Sequence, residues 1–201
     1  TLRVRMIDCV GYIVPDALGA VENDRPRMVH TPWQEDPVPF IEAAEEGTRK
    51  VICDHSTIGM VVTTDGTIGE IPRASYEEAE ARVVGELRAL GKPFAVILNS
   101  AHPESPAASE LGHALEARYG VPVALVNCLE LDADDIREIL SMVLDEFAVT
   151  EVSVKLPDWI TALDPSHRIR ASVEASVREC AAAAERAGDI VPAFSKLSEN
   201  E

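Results

Sequence analysis

The period of the apolar positions changes along the chain, and each change predicts an element. Leu2 to Asp8 is a short β-rich run ending in an acid, followed by Cys9, Val10 and Gly11, which predicts a strand that delivers a carboxylate to its C-terminal edge. From Tyr12 to Pro39 the sequence carries Pro15, Pro26, Pro32, Pro37 and Pro39 with little periodicity, which predicts a long loop. Phe40 to His55 reads as a helix, because Glu42, Glu45 and Glu46 lie early and Arg49 and Lys50 late, matching the helix dipole. Ile58 to Thr64 is a continuous apolar and β-branched run closed by Asp65-Gly66, the pattern of a strand buried on both faces. The alternation then repeats. Ser75 to Leu90 is helical with Gly91 as its stop, Pro93 to Asn99 is a strand, and Ala107 to Tyr119 is a helix stopped by Gly120. Val121 to Asn127 gives the next strand, and Asp132 caps a helix running to about Phe147. Strands alternating with amphipathic helices predict the α/β class, a parallel sheet covered on both faces with ligands at the carboxyl ends of its strands.

Near Val149 the character changes. Val152, Val154 and Leu156 alternate with Ser153 and Lys155, the period of a strand with one solvated face, which predicts the start of a second domain or an added edge strand. Asp164-Pro165 is then expected to open a last helix whose apolar stripe runs through Ile169, Val173, Val177 and Cys180 to Ala184.

Composition narrows the function classes. The 201 residues carry 18 Lys and Arg against 35 Asp and Glu, a formal net charge of -17 that repels phosphate backbones and anionic lipid surfaces, so nucleic acid is not an expected partner. Cys9, Cys53, Cys128 and Cys180 lie far apart without metal-ligand spacing, which signals reduced and mostly buried thiols rather than a zinc site or a disulfide framework. Apolar runs such as Phe94 to Leu98 fall far short of the roughly 20 residues that a bilayer span requires. The apolar stretch from Leu2 to Ile7 follows Thr1 at once, with no charged leader, so the sequence reads as one that begins in mid-domain.

Candidate chemistry centres on strand ends. Asp8 and Gly11 form D-x-x-G after a predicted strand; in nucleotide hydrolases an acid there holds Mg²⁺, often through water, and the glycine amide faces the terminal phosphate. A strand-ending Asp followed by a turn Gly gives the same string. The strand ending at Leu98 is followed by Asn99-Ser100-Ala101-His102, where P-loop GTPases carry N-K-x-D, and His102 cannot present the two parallel acceptors that read a guanine edge. Asn99 suits tying neighbouring loops together, direct base contact, or simply a polar strand terminus in a turn. Asn127-Cys128-Leu129 falls where a base-flanking loop would lie, and Thr63 to Gly69 is a polar turn on the same expected edge, suited to a nucleotide site or to turn chemistry alone. Arg25 and Arg27 read as solvated loop arginines, and Trp33 and Trp159 as core anchors.

The longer strings are more specific. Met6 to Tyr12, Pro26-Arg27-Met28, Thr31-Pro32-Trp33, Glu46 to Ile52, and His55 to Gly69 closely resemble the stage IV sporulation protein A family, strongly from Val4 to about Asn99 and more loosely through Leu156-Pro157 and Trp159. The resemblance implies a three-layer P-loop NTPase fold of the translation-factor GTPase type over residues 1–148, followed at 149–201 by the start of a smaller middle α+β domain. It implies hydrolysis of ATP with Mg²⁺ to drive polymerisation into the base layer of the spore coat. The implied location is the mother-cell cytoplasm at the outer forespore membrane. The implied partners are the protein itself, a small amphipathic membrane-bound peptide and other coat proteins. By carry-over Asp8 and Gly11 are the catalytic pair, Asp8 the metal-holding acid, and Asp8, Gly11 and Asn99 the nucleotide-binding residues.

Two family features are missing from these residues: no G-x-x-x-x-G-K-[ST] occurs, and no threonine-bearing first switch precedes Asp8. Both are expected upstream of Thr1, and the family's C-terminal region beyond Glu201. In this fold the strand leading into the P-loop lies between the strand ending at Asp8 and the strand ending at Thr64, so a gap in the sheet is expected. A non-hydrolysing structural scaffold and a GTP-binding regulatory switch are the alternative functions.

Overall fold

A computed structural model describes residues 3–197. The chain divides into two compact units, Thr1–Ile139 and Leu140–Glu201.

The first unit is built on three parallel strands, β5 (Gly59–Thr64), β6 (Phe94–Asn99) and β7 (Val123–Val126), in the order β5-β6-β7. The register runs from Gly59 opposite Phe94 to Thr64 opposite Asn99, and from Val96 opposite Val123 to Asn99 opposite Val126. β6 lies at the centre, so Ala95, Val96 and Leu98 are fully enclosed. Helices α2 (Glu77–Ala89) and α3 (Pro106–Tyr119) supply Val84, Leu87, Leu115 and Tyr119 to the core around Val61, Val96 and Leu98. The α/β class and these three strands agree with the sequence pattern.

Local chemistry explains the helix ends. Ser105 Oγ accepts from the Ala108 amide at 3.2 Å, Pro106 occupies the first turn, and α3 stops at Gly120 in the left-handed conformation that suits glycine. Asp132 Oδ1 accepts from the amides of Asp134 and Asp135 at 2.7 and 3.0 Å, and Asp135 Oδ2 accepts from the Asp132 amide at 2.9 Å. That reciprocal pair starts α4 (Ala133–Asp145) where the sequence predicts. Helix α1 (Phe40–Lys50) continues into a π-helical turn at Val51–His55. Lys92 Nζ closes that turn by donating to the carbonyls of Ile52, Cys53 and Ser56 at 2.5, 3.0 and 2.6 Å.

Three predicted segments differ. A strand is predicted over Leu2 to Asp8, of which Leu2 lies outside the described residues; Arg3 to Asp8 form no strand and are exposed and irregular, because a β-patterned segment holds strand geometry only when a neighbour accepts its backbone hydrogen bonds. Residues 12–39 are not one loop. They hold two antiparallel hairpins, β1 (Val21–Glu22) with β2 (Arg25–Pro26), and β3 (Met28–Thr31) with β4 (Gln34–Pro39). Asn23 and Asp24 turn the first with φ of 52° and 59°, the two positive values a tight right-twisted hairpin needs. In the second unit Val152 to Leu156 forms no strand. The nearest pairing is an isolated antiparallel bridge between Ala148 and Arg186.

The second unit otherwise holds α5 (Asp158–Thr161), α6 (Arg168–Ala183) and α7 (Ile190–Ser195), so the long helix is not the last. Asp164 Oδ1 accepts from the Ser166 amide and hydroxyl, which spends it on a turn and moves the helix start to His167, whose Nδ1 accepts from the Ile169 amide. α7 packs on α6. Two residue-level expectations also fail. Cys9 and Cys53 are exposed and Cys128 and Cys180 half-buried, and Trp159 is 61% exposed, so it anchors no core. Among the described residues no helix is long and apolar enough to cross a membrane.

Candidate functional site

Parallel strands bring their carboxyl-end loops to one edge, and side-chain hydrogen bonds join those loops into a rim. Thr67 Oγ1 accepts from the Ala101 amide at 2.8 Å and donates to Asp65 Oδ1 at 2.5 Å, which ties the loop after β5 to the loop after β6. Asn99 Oδ1 accepts from the Cys128 amide at 2.9 Å, which ties the loop after β6 to the loop after β7. Asn127 Oδ1 in turn accepts from the Leu129 amide at 3.1 Å. Burial raises the Asp65 carboxyl, but hydrogen bonds from Ser100 and Thr67 outweigh that and hold it below the usual range. Asn99, Asn127 and the Thr63 to Gly69 turn thus share one edge. The Asn99 carbonyl oxygen is committed to loop bridging.

Asp8 and Gly11 lie on the wall of a cavity of about 520 Å³ that also reaches Thr63 on β5. One side is the segment from Ile7 to Val14; the other is β5, with Thr48 and Ile52 from the α1 end and Glu80 and Val83 from α2. β5 pairs with β6 alone among the described residues, so the cavity runs along the unpaired edge of the sheet. Asp8 is exposed and makes no hydrogen bond or ion pair. Gly11 has φ of 81°, with no atom within 4 Å of where a Cβ would stand. Thr48, 2% exposed, lines the same cavity and its hydroxyl has no hydrogen-bond partner. Asn99 is not among the lining residues.

A buried ion-pair network stands behind this wall. Arg73 donates to Glu80 in a bidentate pair, Nη1 to Oε2 at 2.6 Å and Nη2 to Oε1 at 3.0 Å, and Nη1 also donates to Thr63 Oγ1 at 2.9 Å. Tyr119 OH donates to Glu80 Oε1 at 2.8 Å. Burial would push the Glu80 carboxyl up, but the hydrogen bonds from Arg73, Thr63 and Tyr119 and the charge of Arg73 hold it below the usual range. Burial and the bond to Glu80 push the Tyr119 phenol to about 12. Gly66 belongs to the same construction, because a Cβ there would stand 2.8 Å from the Arg73 backbone nitrogen at a φ of 89°. Sequence reasoning missed Arg73, Glu80, Tyr119 and Thr48. The only local signal is an acid inside the buried stripe of α2.

The remaining candidates are structural. Arg27 lies over the Phe40 ring at 5.4 Å, and Trp33 is not a core anchor: it is 40% exposed, its indole packing beside Gly47, 3.4 Å from where a Cβ would stand. A second cavity of about 390 Å³ lies in the C-terminal unit beside Ser176, Glu179, Cys180 and Lys196, and none of the predicted site residues lines it.

Sheet, rim and cavity define an α/β protein whose loops at the strand ends and free sheet edge are the parts open to ligand chemistry. Residues 1–148 match the family model described as stage IV sporulation protein A, ATPase domain, and residues 149–201 match the one for its middle domain. The chain belongs to the stage IV sporulation protein A family. It is 48% identical over 189 residues to the stage IV sporulation protein A of Bacillus anthracis, covering 94% of this chain and 38% of that protein. Against that of Bacillus subtilis (strain 168) the identity is 44% over 200 residues, 100% of this chain and 41% of that protein. Against that of Clostridioides difficile (strain 630) it is 48% over 179 residues, 89% and 36%. The chain thus spans about two fifths of the length of the curated relatives it matches. No solved structure matches it.

Proposed function

We propose that this chain is part of an ATP-binding and ATP-hydrolysing morphogenetic protein that polymerises on the forespore surface as the base layer of the spore coat. Family membership and the ATPase-domain match supply the context. The observation that carries the reading is the cavity between the D-x-x-G segment and the unpaired edge of β5. In a P-loop NTPase of the translation-factor type, the strand leading into the phosphate-binding loop belongs in that slot, and its helix covers the neighbouring face. Val62 on β5 is 63% exposed, which suits a face awaiting such a helix. On this reading residues 1–148 are a P-loop domain without its first unit, and residues 149–201 begin a middle α+β domain.

The residues present fit Mg²⁺ and a phosphate. Among the described residues no group of three or more His, Cys, Asp or Glu could hold a metal. A single free carboxylate suits Mg²⁺, which keeps several waters and takes the rest of its ligands from phosphates. Asp8 would hold the ion through water, and the ion when bound neutralises charge on the phosphates. Gly11 offers an amide that a phosphate oxygen can approach without meeting a side chain. Asn99 fixes the loop that would flank the base, and His102, at the position of a guanine-reading acid, favours ATP over GTP. The working location is the mother-cell cytoplasm at the outer forespore membrane, with self-association, a small amphipathic membrane-bound peptide and other coat proteins as partners.

Nucleotide turnover by the full-length protein, measured beside a filament assay, tests the reading. Asp8→Lys is expected to abolish hydrolysis while leaving the fold intact. Hydrolysis at the normal rate, or a loss explained by unfolding, would return the protein to a scaffold without turnover. GTP competing as well as ATP would instead favour a regulatory switch. The 201-residue chain alone is expected to bind no ATP measurably.

A further inference from the structure

Between Arg3 and Val14, Tyr12 is the residue whose side chain makes a hydrogen bond. It directly follows Gly11 and is 9% exposed. Its hydroxyl donates to Glu86 Oε2 on α2, and the Arg82 guanidinium lies 3.9 Å from the centre of its ring. Arg82 also grips Glu45 on α1, with Nη1 to Oε1 at 2.8 Å and Nη2 to Oε2 at 3.1 Å, and its Nε donates to Glu86 Oε1 at 3.4 Å. One guanidinium therefore serves three groups, from the D-x-x-G segment, α1 and α2. Asp8, by contrast, makes no hydrogen bond or ion pair, and no atom lies within 4 Å of where a Gly11 Cβ would stand.

We infer that Tyr12 is a positioning residue: it fixes the Gly11 backbone against α2 and, through Arg82 and Glu45, couples the place of that backbone to helix α1. This rests on the nucleotide reading of Asp8 and Gly11 given above. Burial, then the bond to Glu86, pushes the Tyr12 phenol strongly up, so it keeps its proton, and that proton is already donated. Tyr12 therefore does not orient an attacking water. Its contribution is to hold the Gly11 amide where a phosphate would meet it, and misplacement of such a donor by about 1 Å costs up to about a hundredfold in rate. A phosphate that draws Gly11 inward pulls the Tyr12 ring against Arg82, and Glu45 passes that displacement to α1.

The test uses the full-length protein. Tyr12→Phe keeps the ring under Arg82 and removes only the hydroxyl; kcat for ATP should fall about tenfold with KM changed less than about twofold. Glu86→Ala, which leaves the D-x-x-G segment untouched, should give the same loss and stands in for Tyr12→Phe if that variant does not fold. The double variant should lose no more than either single one. Glu86→Gln keeps an acceptor for the phenol and should retain most of the rate. A normal kcat in Tyr12→Phe, a rise in KM alone, or losses that multiply in the double variant would overturn the inference. Asp8→Lys is run alongside. If it also hydrolyses ATP normally, the nucleotide reading itself has failed, whereas an inactive Asp8→Lys beside a normal Tyr12→Phe removes only the positioning role.

Discussion

Two stretches of the first unit both read as strands in sequence and are opposite in outcome. From Phe94 to Leu98 β6 is enclosed, with parallel partners on both sides. From Arg3 to Asp8 the chain is exposed and irregular; Met6 is 77% exposed and Ile7 43%. Each carries two β-branched residues, Val4 and Ile7 in the one and Val96 and Ile97 in the other, although Arg3, Arg5 and Asp8 make the first stretch half charged. What separates them is the neighbour: β6 lies between β5 and β7, whereas Arg3 to Asp8 pair with no strand, and their last two residues, Ile7 and Asp8, line a cavity with the bare edge of β5 across it. Strand formation is a property of pairs, and a segment without its partner is left with solvated backbone.

The sharpest way to break this comparison is to disturb the side that is fully partnered. Glu80→Gln leaves the Arg73 guanidinium, 17% exposed, without its counter-charge, and is expected to cost about 4 kcal/mol in chemical denaturation. The pH dependence gives a second check. The Glu80 carboxyl is held below its ordinary range when folded, so its stabilisation is present above about pH 4.3, the unfolded value, and is lost as pH falls through the folded value. Glu80→Gln lacks that titration, and its stability should converge with the parent's in acid. A constant difference down to pH 2 would mean that the pair is not what holds this wall.

Leu98→Ala, at a fully enclosed β6 position, is expected to cost about 3 kcal/mol, read as a shifted urea midpoint at unchanged slope. Gly66→Ala should cost about 2 kcal/mol, because it forces a left-handed residue to carry a Cβ against the Arg73 backbone. A neutral Gly66→Ala would show that the loop after β5 is looser than its hydrogen bonds to Asp65 and Ala101 suggest.

The same contrast explains what could be read from sequence. β5, β6 and β7 and their helices were legible because each carries its own signal: a continuous apolar run, Asp132 before α4, Gly91 and Gly120 as stops. Asp8 and Gly11 were legible as a motif, but their distance from the Asn99 rim was not, since it depends on how the segment packs. The first hairpin has two-residue strands, which carry no alternation, so Asn23-Asp24 was the one usable clue to it. Arg73, Glu80 and Tyr119 meet across separations of 7 and 39 residues, and no local period reports that. Val152 to Leu156 repeats the lesson of Arg3 to Asp8, since alternation marks what a segment would do beside a partner.

The smallest expected effect sharpens the comparison most. Met6 is exposed, so Met6→Ser in the 201-residue chain should change stability by less than about 0.5 kcal/mol. In the full-length protein, on the proposed fold, a strand fills the slot beside β5 and pairs with the segment ending at Asp8. Met6 would then lie in a sheet, and burying a methionine side chain contributes about 1.5–3 kcal/mol. The same substitution should therefore cost about 1–2 kcal/mol there, allowing for incomplete burial of a residue near a strand end. Equal and negligible costs in both chains would mean that Arg3 to Asp8 stays unpaired even with the whole sequence present. The slot beside β5 would then need an occupant other than the unit that carries the phosphate-binding loop.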